Sequence, residues 1–202
     1  MTFFESIPSN LKFTANFVLL LAVVITGFLY FIRGQEQDTL DSYVLYSDMK
    51  ITSPLFEDGS VIPTKYTCDG DNVNPPLVFE SVPSQTVSLV LLMDDPDVPT
   101  NLRPDGNFDH WVVFNMPGRK IGISEDSVPG RSLVGRNSRG ESKYTGPCPP
   151  DREHRYYFRL YSLDIKLDLD LTATKADVLA AMDGHINEVA ELMGTYNRPQ
   201  NK

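Results

Sequence analysis

The sequence of 202 residues has only three histidines and few cysteines, so it offers few imidazole and thiol groups for a catalytic or metal site. It has two cysteines, and neither belongs to a Cys-x-x-Cys pair of the kind that indicates a zinc site or a thioredoxin-like motif. It has no Gly-x-Ser-x-Gly motif, which argues against a serine hydrolase. Its 18 Lys and Arg residues face 27 Asp and Glu residues, and the formal net charge of −9 argues against nucleic acid as a partner.

One long apolar run lies near the N-terminus. Residues 13–32 (FTANFVLLLAVVITGFLYFI) contain no charged side chain, and about 20 apolar residues of helix are enough to cross a membrane. The run is longer than the apolar region of a cleaved signal peptide, and no Ala-x-Ala-like site follows it, so we expect an uncleaved transmembrane anchor. The distribution of positive charge then predicts a single-pass membrane protein whose remaining domain is extracytoplasmic.

Composition divides the chain into four parts. A short N-terminal segment (1–12) precedes the anchor (13–32), a polar and acidic linker follows (33–42), and the rest forms one domain (43–202). The domain has no internal repeat and no low-complexity tract. Its length is sufficient for a substantial hydrophobic core.

Short runs of β-branched and aromatic residues, separated by Pro, Gly, Asn and Asp, continue to about residue 164. The clearest runs are 88–93, 111–116 and 156–163. This pattern predicts strands joined by turns, without intervening helices. A mainly β fold, an antiparallel β-sandwich, is therefore expected.

Near the end of the domain, the apolar residues recur with a different spacing. Thr174 to Asp177 resembles a capping box, and the apolar residues that follow recur at helical spacing. These features predict an amphipathic C-terminal helix closed by Gly194. Its apolar face would consist of Val178, Leu179, Met182, Ile186, Val189, Ala190 and Met193.

Cys68 and Cys148 are the two cysteines. One disulfide is possible if the domain lies outside the cytoplasm, and two separate buried thiols are the alternative. A bridge needs the two Cα atoms within about 7 Å, which the sequence cannot decide. Both interpretations therefore stay open at this point.

Positive charge is concentrated in residues 131–159, where seven Lys and Arg residues face three acidic ones. A local positive field in an acidic protein can attract an anionic ligand. A solvated charged surface is the alternative interpretation.

Polar side chains occur at the ends of three predicted strands. Asp95 and Asp97 follow the strand at 88–93, and His110 begins the next strand. His154 begins the third strand, directly after a proline-rich loop. Loops at strand ends commonly carry binding sites, so these side chains could meet at one rim of the sandwich.

The ordered motifs between about residues 53 and 198 resemble the phosphatidylethanolamine-binding protein family, also called Raf kinase inhibitor-like proteins, in its bacterial and archaeal branch. The motifs are Cys68-Asp69-Gly70, Asn74-Pro75-Pro76-Leu77, Asp95-Pro96-Asp97-Val98-Pro99, His110-Trp111-Val112, Asn115-Met116-Pro117, Tyr144 to Pro150, His154-Arg155-Tyr156, Gly184-His185 and Gly194-Thr195-Tyr196.

The resemblance implies a sandwich of one large and one small sheet, with a C-terminal helix near a cavity for phosphate-like anions. The matching ligand-binding positions are Asp95, Asp97, His110, Gly146, Pro147, Cys148, His154 and Tyr156. Imidazole and amide N–H groups can donate to phosphoryl oxygens, and Asp95 could orient a histidine.

The leading hypothesis is a membrane-anchored, non-catalytic binding or regulatory module without a cofactor. Its expected ligand is a phosphorylated or anionic small molecule or headgroup, and by resemblance it could inhibit a protein partner such as a kinase or protease. The alternative is a metal-dependent hydrolase, because Asp95, His110 and His154 match the ligand set of a catalytic metal site.

Overall fold

Alternating apolar and polar residues fold the chain into two antiparallel sheets in this computed structural model, which describes residues 48–199. The strands are β1 (Lys50–Thr52), β2 (Leu77–Glu80), β3 (Ser88–Asp95), β4 (Phe108–Pro117), β5 (Gly122–Ile123), β6 (Leu133–Val134), β7 (His154–Leu163) and β8 (Ile186–Tyr196). A short 3-10 helix spans Thr64–Tyr66, and helix α1 spans Lys175–Met182.

The smaller sheet has the order β1-β2-β5, and the larger sheet has the order β6-β4-β3-β7-β8. All eight residues of β3 are buried, because both faces of this central strand are covered. Leu89, Leu91 and Met93 pack into the core that also contains the residues of the smaller sheet. Val90 and Leu92 point the other way, into a second cluster completed by helix α1. The predicted mainly β sandwich, with a larger and a smaller sheet, is confirmed.

The predicted C-terminal helix is present but much shorter than expected. Its capping box forms as predicted, since Asp177 N–H donates to Thr174 Oγ1 and Thr174 N–H donates to Asp177 Oδ2. The helix ends at Met182, and Gly184 then adopts a left-handed conformation with φ of +75°.

The apolar residues after Gly184 form strand β8 instead of further helical turns. This strand pairs with β7 from His154–Tyr196 to Leu163–Ile186, so the open edge of the larger sheet supplies its hydrogen bonds. Alternate residues Ala190, Leu192, Gly194 and Tyr196 are buried, whereas Ile186 and Val189 are exposed. The prediction that Ile186, Val189, Ala190 and Met193 form a helix face is therefore wrong, and Gly194 is a strand residue rather than a helix terminator.

The predicted membrane localisation is also corrected. Between residues 48 and 199, no helix is long and apolar enough to cross a membrane. The predicted anchor at 13–32 and linker at 33–42 lie outside the described residues. The structure therefore does not support the single-pass membrane protein with an extracytoplasmic domain that was predicted from the sequence.

Candidate functional site

The ends of three neighbouring strands bring the predicted polar residues together. Asp95, the last residue of β3, pairs with Phe108 at the start of β4. On the other side, Asp94 of β3 pairs with Tyr157 near the start of β7. His110 and His154 lie at the same ends of β4 and β7, because antiparallel neighbours place the end of one strand beside the start of the next.

His154 is fully buried and lies between two carboxylates. Its Nδ1 is 2.7 Å from Asp95 Oδ2, and its Nε2 is 2.8 Å from Asp151 Oδ1. Both ring nitrogens are therefore engaged within the protein. Direct donation from His154 to a ligand, as expected from the sequence, is not supported by this geometry.

Asp95 is buried beside the ring of His154, the N–H of Asp97 and the hydroxyl of Tyr156. Burial raises the pKa of Asp95, while the hydrogen bonds from His154 and from Asp97 N–H act in the opposite direction. Tyr156 Oη is buried and has no hydrogen-bond partner within residues 48–199. The pKa of Tyr156 is raised, first by burial and then by the nearby charge of Asp95.

His110 is buried in a different electrostatic environment. Its Nδ1 lies 2.6 Å from the carbonyl oxygen of Thr145, and a carbonyl only accepts, so Nδ1 carries the proton. Burial lowers the pKa of His110 to about 4, and the ring is neutral near pH 7. Nε2 then has a free lone pair, and it makes no hydrogen bond with the part of the chain that the structure describes.

A cavity of about 340 Å³ opens beside His110 and Asp95. This volume falls within the range of small-molecule sites, which usually combine apolar walls with a few polar groups. The polar or backbone contributions come from Asp95, Arg103, His110, Arg139, Thr145, Gly146 and Cys148. The apolar walls are formed by Val98, Leu102, Phe108 and Pro150.

Two arginines supply positive charge to this cavity. Arg139 belongs to the basic stretch identified in the sequence, and it makes no ion pair within residues 48–199. Arg103 was not recognised as a site residue, because it lies within the loop between β3 and β4, away from the basic stretch. The guanidinium of Arg103 already donates to the carboxylate of Asp105 and to the carbonyl oxygen of Asn107. Of the two arginines, Arg139 therefore has fewer partners within the described residues.

Asp97 does not line the cavity. Arg155 binds both of its carboxylate oxygens, with Nη2–Oδ1 and Nε–Oδ2 distances of 2.7 and 2.8 Å. This bidentate contact lowers the pKa of Asp97 to about 2. The pair fastens the loop after β3 to the start of β7, and Asp97 therefore has a structural role here.

The proline-rich loop (residues 146–150) has fewer free backbone N–H groups for an anion than we expected from the sequence. Gly146 N–H already donates to Asn72 Oδ1 at 2.7 Å, and Pro147, Pro149 and Pro150 have no N–H group. Cys148 N–H is the one amide of residues 146–150 that remains without a hydrogen bond in the described structure.

A disulfide holds this loop in place. Cys148 is bonded to Cys68, with 5.4 Å between the two Cα atoms, so the alternative of two separate thiols does not apply to the structure. Cys68 N–H also donates to the carbonyl of Pro147 at 3.0 Å. The cavity wall at Cys148 is therefore tied covalently and by hydrogen bonding to the segment around residue 68.

Gly146→Ala is expected to destabilise the domain by about 2 kcal/mol, because a crowded buried site does not accept an added methyl group. A Cβ at this position would lie 2.5 Å from Tyr66 O and 2.9 Å from Thr67 Cα, which are both backbone atoms. Chemical unfolding measures the change. Gly130→Ala is the matched control, since nothing lies within 4 Å of the Cβ added there. Equal effects of the two substitutions would contradict the close contact.

The residues do not favour the metal-hydrolase alternative. No group of three or more His, Cys, Asp or Glu side chains within residues 48–199 is arranged to hold a metal ion. The donor chemistry agrees, since both nitrogens of His154 are hydrogen-bonded to carboxylates and Nδ1 of His110 to a carbonyl.

Comparison with known proteins identifies the family. The family model described as phosphatidylethanolamine-binding protein matches residues 52–197. A UPF0098 protein from the archaeon Methanothermobacter thermautotrophicus is 44% identical over 155 residues, which cover 74% of this chain and 99% of that protein. A UPF0098 protein from Chlamydia trachomatis is 46% identical over 150 residues, with coverages of 74% and 99%.

Solved structures agree with this assignment. A crystal structure of a phosphatidylethanolamine-binding protein homologue from Chlamydia trachomatis has a TM-score of 0.73 and 46% identity, and the match covers 75% of this chain and 98% of that chain. The structure of E. coli YbcL has a TM-score of 0.69 and 27% identity, with coverages of 76% and 100%. This chain belongs to the phosphatidylethanolamine-binding protein family.

Proposed function

We propose that the domain is a non-catalytic binding or regulatory module whose cavity takes a phosphoryl group or a similar anion. The family is generally ligand-binding and regulatory. The observation that carries the proposal is the set of uncommitted polar groups at one cavity: the guanidinium of Arg139, the N–H of Cys148 and the Nε2 lone pair of His110.

These groups suit a phosphoryl group that keeps one proton. Arg139 and Cys148 N–H can donate to its unprotonated oxygens, while neutral His110 can accept a hydrogen bond from the P–OH group. The second ionisation of a phosphomonoester lies near pH 6, so the protonated form becomes more abundant as pH falls. Binding should therefore strengthen towards acidic pH.

The lining also supports a binding role without catalysis. Among the residues that line the cavity, Thr145 carries a hydroxyl group, and this hydroxyl accepts a hydrogen bond from Asn137 Nδ2 at 2.9 Å. Cys148 is held in the disulfide and cannot act as a thiolate. The lining therefore offers no nucleophile paired with a base.

The test is titration of the full chain with phenyl phosphate, whose ring suits the apolar walls and whose phosphoryl group suits the polar end. Arg139→Gln is expected to weaken binding about tenfold or more, because a hydrogen bond to a charged group contributes about 1.5–3 kcal/mol. Isothermal titration calorimetry measures the affinity.

Arg136→Gln is the control variant for this titration. It makes the same change of charge within the same basic stretch, but residue 136 does not line the cavity. Equal affinities of wild type and Arg139→Gln, with the fold intact, would place the ligand elsewhere. Absence of phenyl phosphate binding to the wild type would refute the proposed phosphoryl site.

A further inference from the structure

Asn137 lies in the segment between β6 and β7, which contributes several residues to the cavity. Its side chain is buried, with 5% exposure, and it is not among the residues that line the cavity. Arg139 and Thr145 follow in the same segment, and both of them do line it. The hydrogen bonds of Asn137 therefore bear on how these two residues are held.

All four hydrogen-bonding positions of the Asn137 carboxamide are occupied. Its Nδ2 donates to the carbonyl oxygen of Lys143 at 3.1 Å and to Oγ1 of Thr145 at 2.9 Å. Its Oδ1 accepts from the N–H groups of Arg139 and Glu141, at 2.9 and 3.0 Å. One buried side chain thus joins the part of the segment that carries Arg139 to the part that carries Thr145.

The oxygen side of the carboxamide closes the turn that presents Arg139. A contact from an Asn side chain to the N–H group two residues further on is typical of a tight turn. Gly140 N–H also donates to the carbonyl of Asn137 at 2.8 Å, and Gly140 has a left-handed φ of +75°. Ser138 N–H donates to the carbonyl of Asp109 at 2.9 Å, so the turn is held against β4.

The nitrogen side of the carboxamide holds the stretch that contacts His110. Thr145 N–H donates to the carbonyl of His110 at 3.1 Å, and the carbonyl oxygen of Thr145 lies 2.6 Å from His110 Nδ1. This second contact directs the other ring nitrogen, Nε2, to the ligand. Arg139 and His110 can therefore meet one phosphoryl group only while the two parts of the segment keep their spacing.

We propose that Asn137 is a positioning residue for the ligand cavity: its carboxamide sets the spacing between Arg139 and Thr145 and, through Thr145, the orientation of His110. This inference rests on the proposed phosphoryl site.

Asn137→Ala is expected to weaken phenyl phosphate binding about tenfold, because Arg139 is then no longer held where it makes its charged hydrogen bond. Isothermal titration calorimetry of the full chain measures the affinity.

Asn74→Ala is the matched control, because it removes an equally buried carboxamide away from the cavity. Asn74 is 4% exposed, donates to the carbonyls of Pro75 and Ser124, and accepts from Ser127 N–H. It does not line the cavity. This variant should therefore lose stability without losing affinity.

A double variant separates positioning from a general loss of stability. If Asn137 acts through Arg139, adding Asn137→Ala to Arg139→Gln should weaken binding by no more than about threefold, since coupled residues are not additive. Independent effects would multiply and give a further loss of about tenfold.

Amide hydrogen exchange tests the contacts without ligand. In Asn137→Ala, exchange of Thr145 N–H should speed up about tenfold or more relative to the amides of β3, because local opening no longer breaks the two hydrogen bonds from Nδ2. In Asn74→Ala the two should change together. Asn137→Asp is the second variant: it keeps an acceptor for Arg139 N–H but cannot donate to the carbonyl of Lys143. Exchange should then speed up at Thr145 and not at Arg139.

Three outcomes would overturn the inference. One is Thr145 exchange that keeps pace with β3 in both Asn137 variants, and another is a further tenfold loss of affinity in the double variant. The third is an equal loss of affinity in Asn137→Ala and Asn74→Ala, which would indicate a merely structural role. If the wild type does not bind phenyl phosphate, the proposed function fails, while the exchange result still decides whether Asn137 holds the segment.

Discussion

Removal of the Cys68–Cys148 disulfide is expected to lower the free energy of unfolding by about 4 kcal/mol. The bond joins residues separated by 80 positions and so restricts a large loop of the unfolded chain. In the chain-entropy model, closing a loop of this length removes enough conformational freedom from the unfolded state to give that value. Guanidinium unfolding of the full chain, with and without reductant, measures the difference.

The double variant Cys68→Ser/Cys148→Ser is the control for this experiment. Its stability should match that of the reduced wild type, and reductant should leave it unchanged because it has no bond to break. A reduced wild type as stable as the oxidised protein would show that the bond contributes nothing to stability.

Acidification from pH 6.5 to 4 is expected to remove about 3 kcal/mol of stability through His110 alone. The pKa of this ring is about 4 in the folded protein, below its reference value of 6.5, because burial penalises the charged form. Between these two values the unfolded chain binds more protons than the folded protein. Stability is therefore full above pH 6.5, is lost as pH falls, and changes no further below about 4.

Two carboxylates near His110 also contribute to the pH dependence of stability in acid. The contribution of His110 is therefore measured as the difference between the wild type and a variant that lacks this ring. The raised pKa of Asp95 gives a contribution of opposite sign above pH 3.8, and the pKa of Asp97, about 2, acts only below 3.8. Unfolding free energies of wild type and His110→Gln across the range isolate the histidine. His185→Gln, which replaces a histidine whose side chain is 42% exposed, is the control variant. Equal slopes for wild type and His110→Gln would contradict the prediction.

Local sequence patterns were sufficient where local interactions decide the structure. The three predicted central strands are present and extend by one to three residues at their ends, and the capping box at Thr174 forms as its motif indicates. The meeting of Asp95, His110 and His154 followed from their positions at strand ends, since antiparallel pairing aligns those ends.

Pairing between distant segments could not be predicted in this way. Residues 186–193 carry a helical period, but the edge of β7 and the left-handed turn at Gly184 direct them into a strand. The tautomer and the protonation state of His110 depend on its burial and on its contact with the carbonyl oxygen of Thr145. Neither can be predicted from the local sequence. The small number of amide donors in the proline-rich loop could have been predicted from the sequence, because the prolines at 147, 149 and 150 lack N–H groups.

The β3–β4 loop contributes to the wall of the cavity but not to the core of the sandwich. Val98, Leu102 and Arg103 line the cavity, but none of them belongs to either buried core cluster. The Asp97–Arg155 pair anchors the loop at its first turn, and residues beyond that anchor can change without creating voids between the sheets. Substitutions in this loop can therefore reshape the cavity while the packing of β3 between the two core clusters is retained.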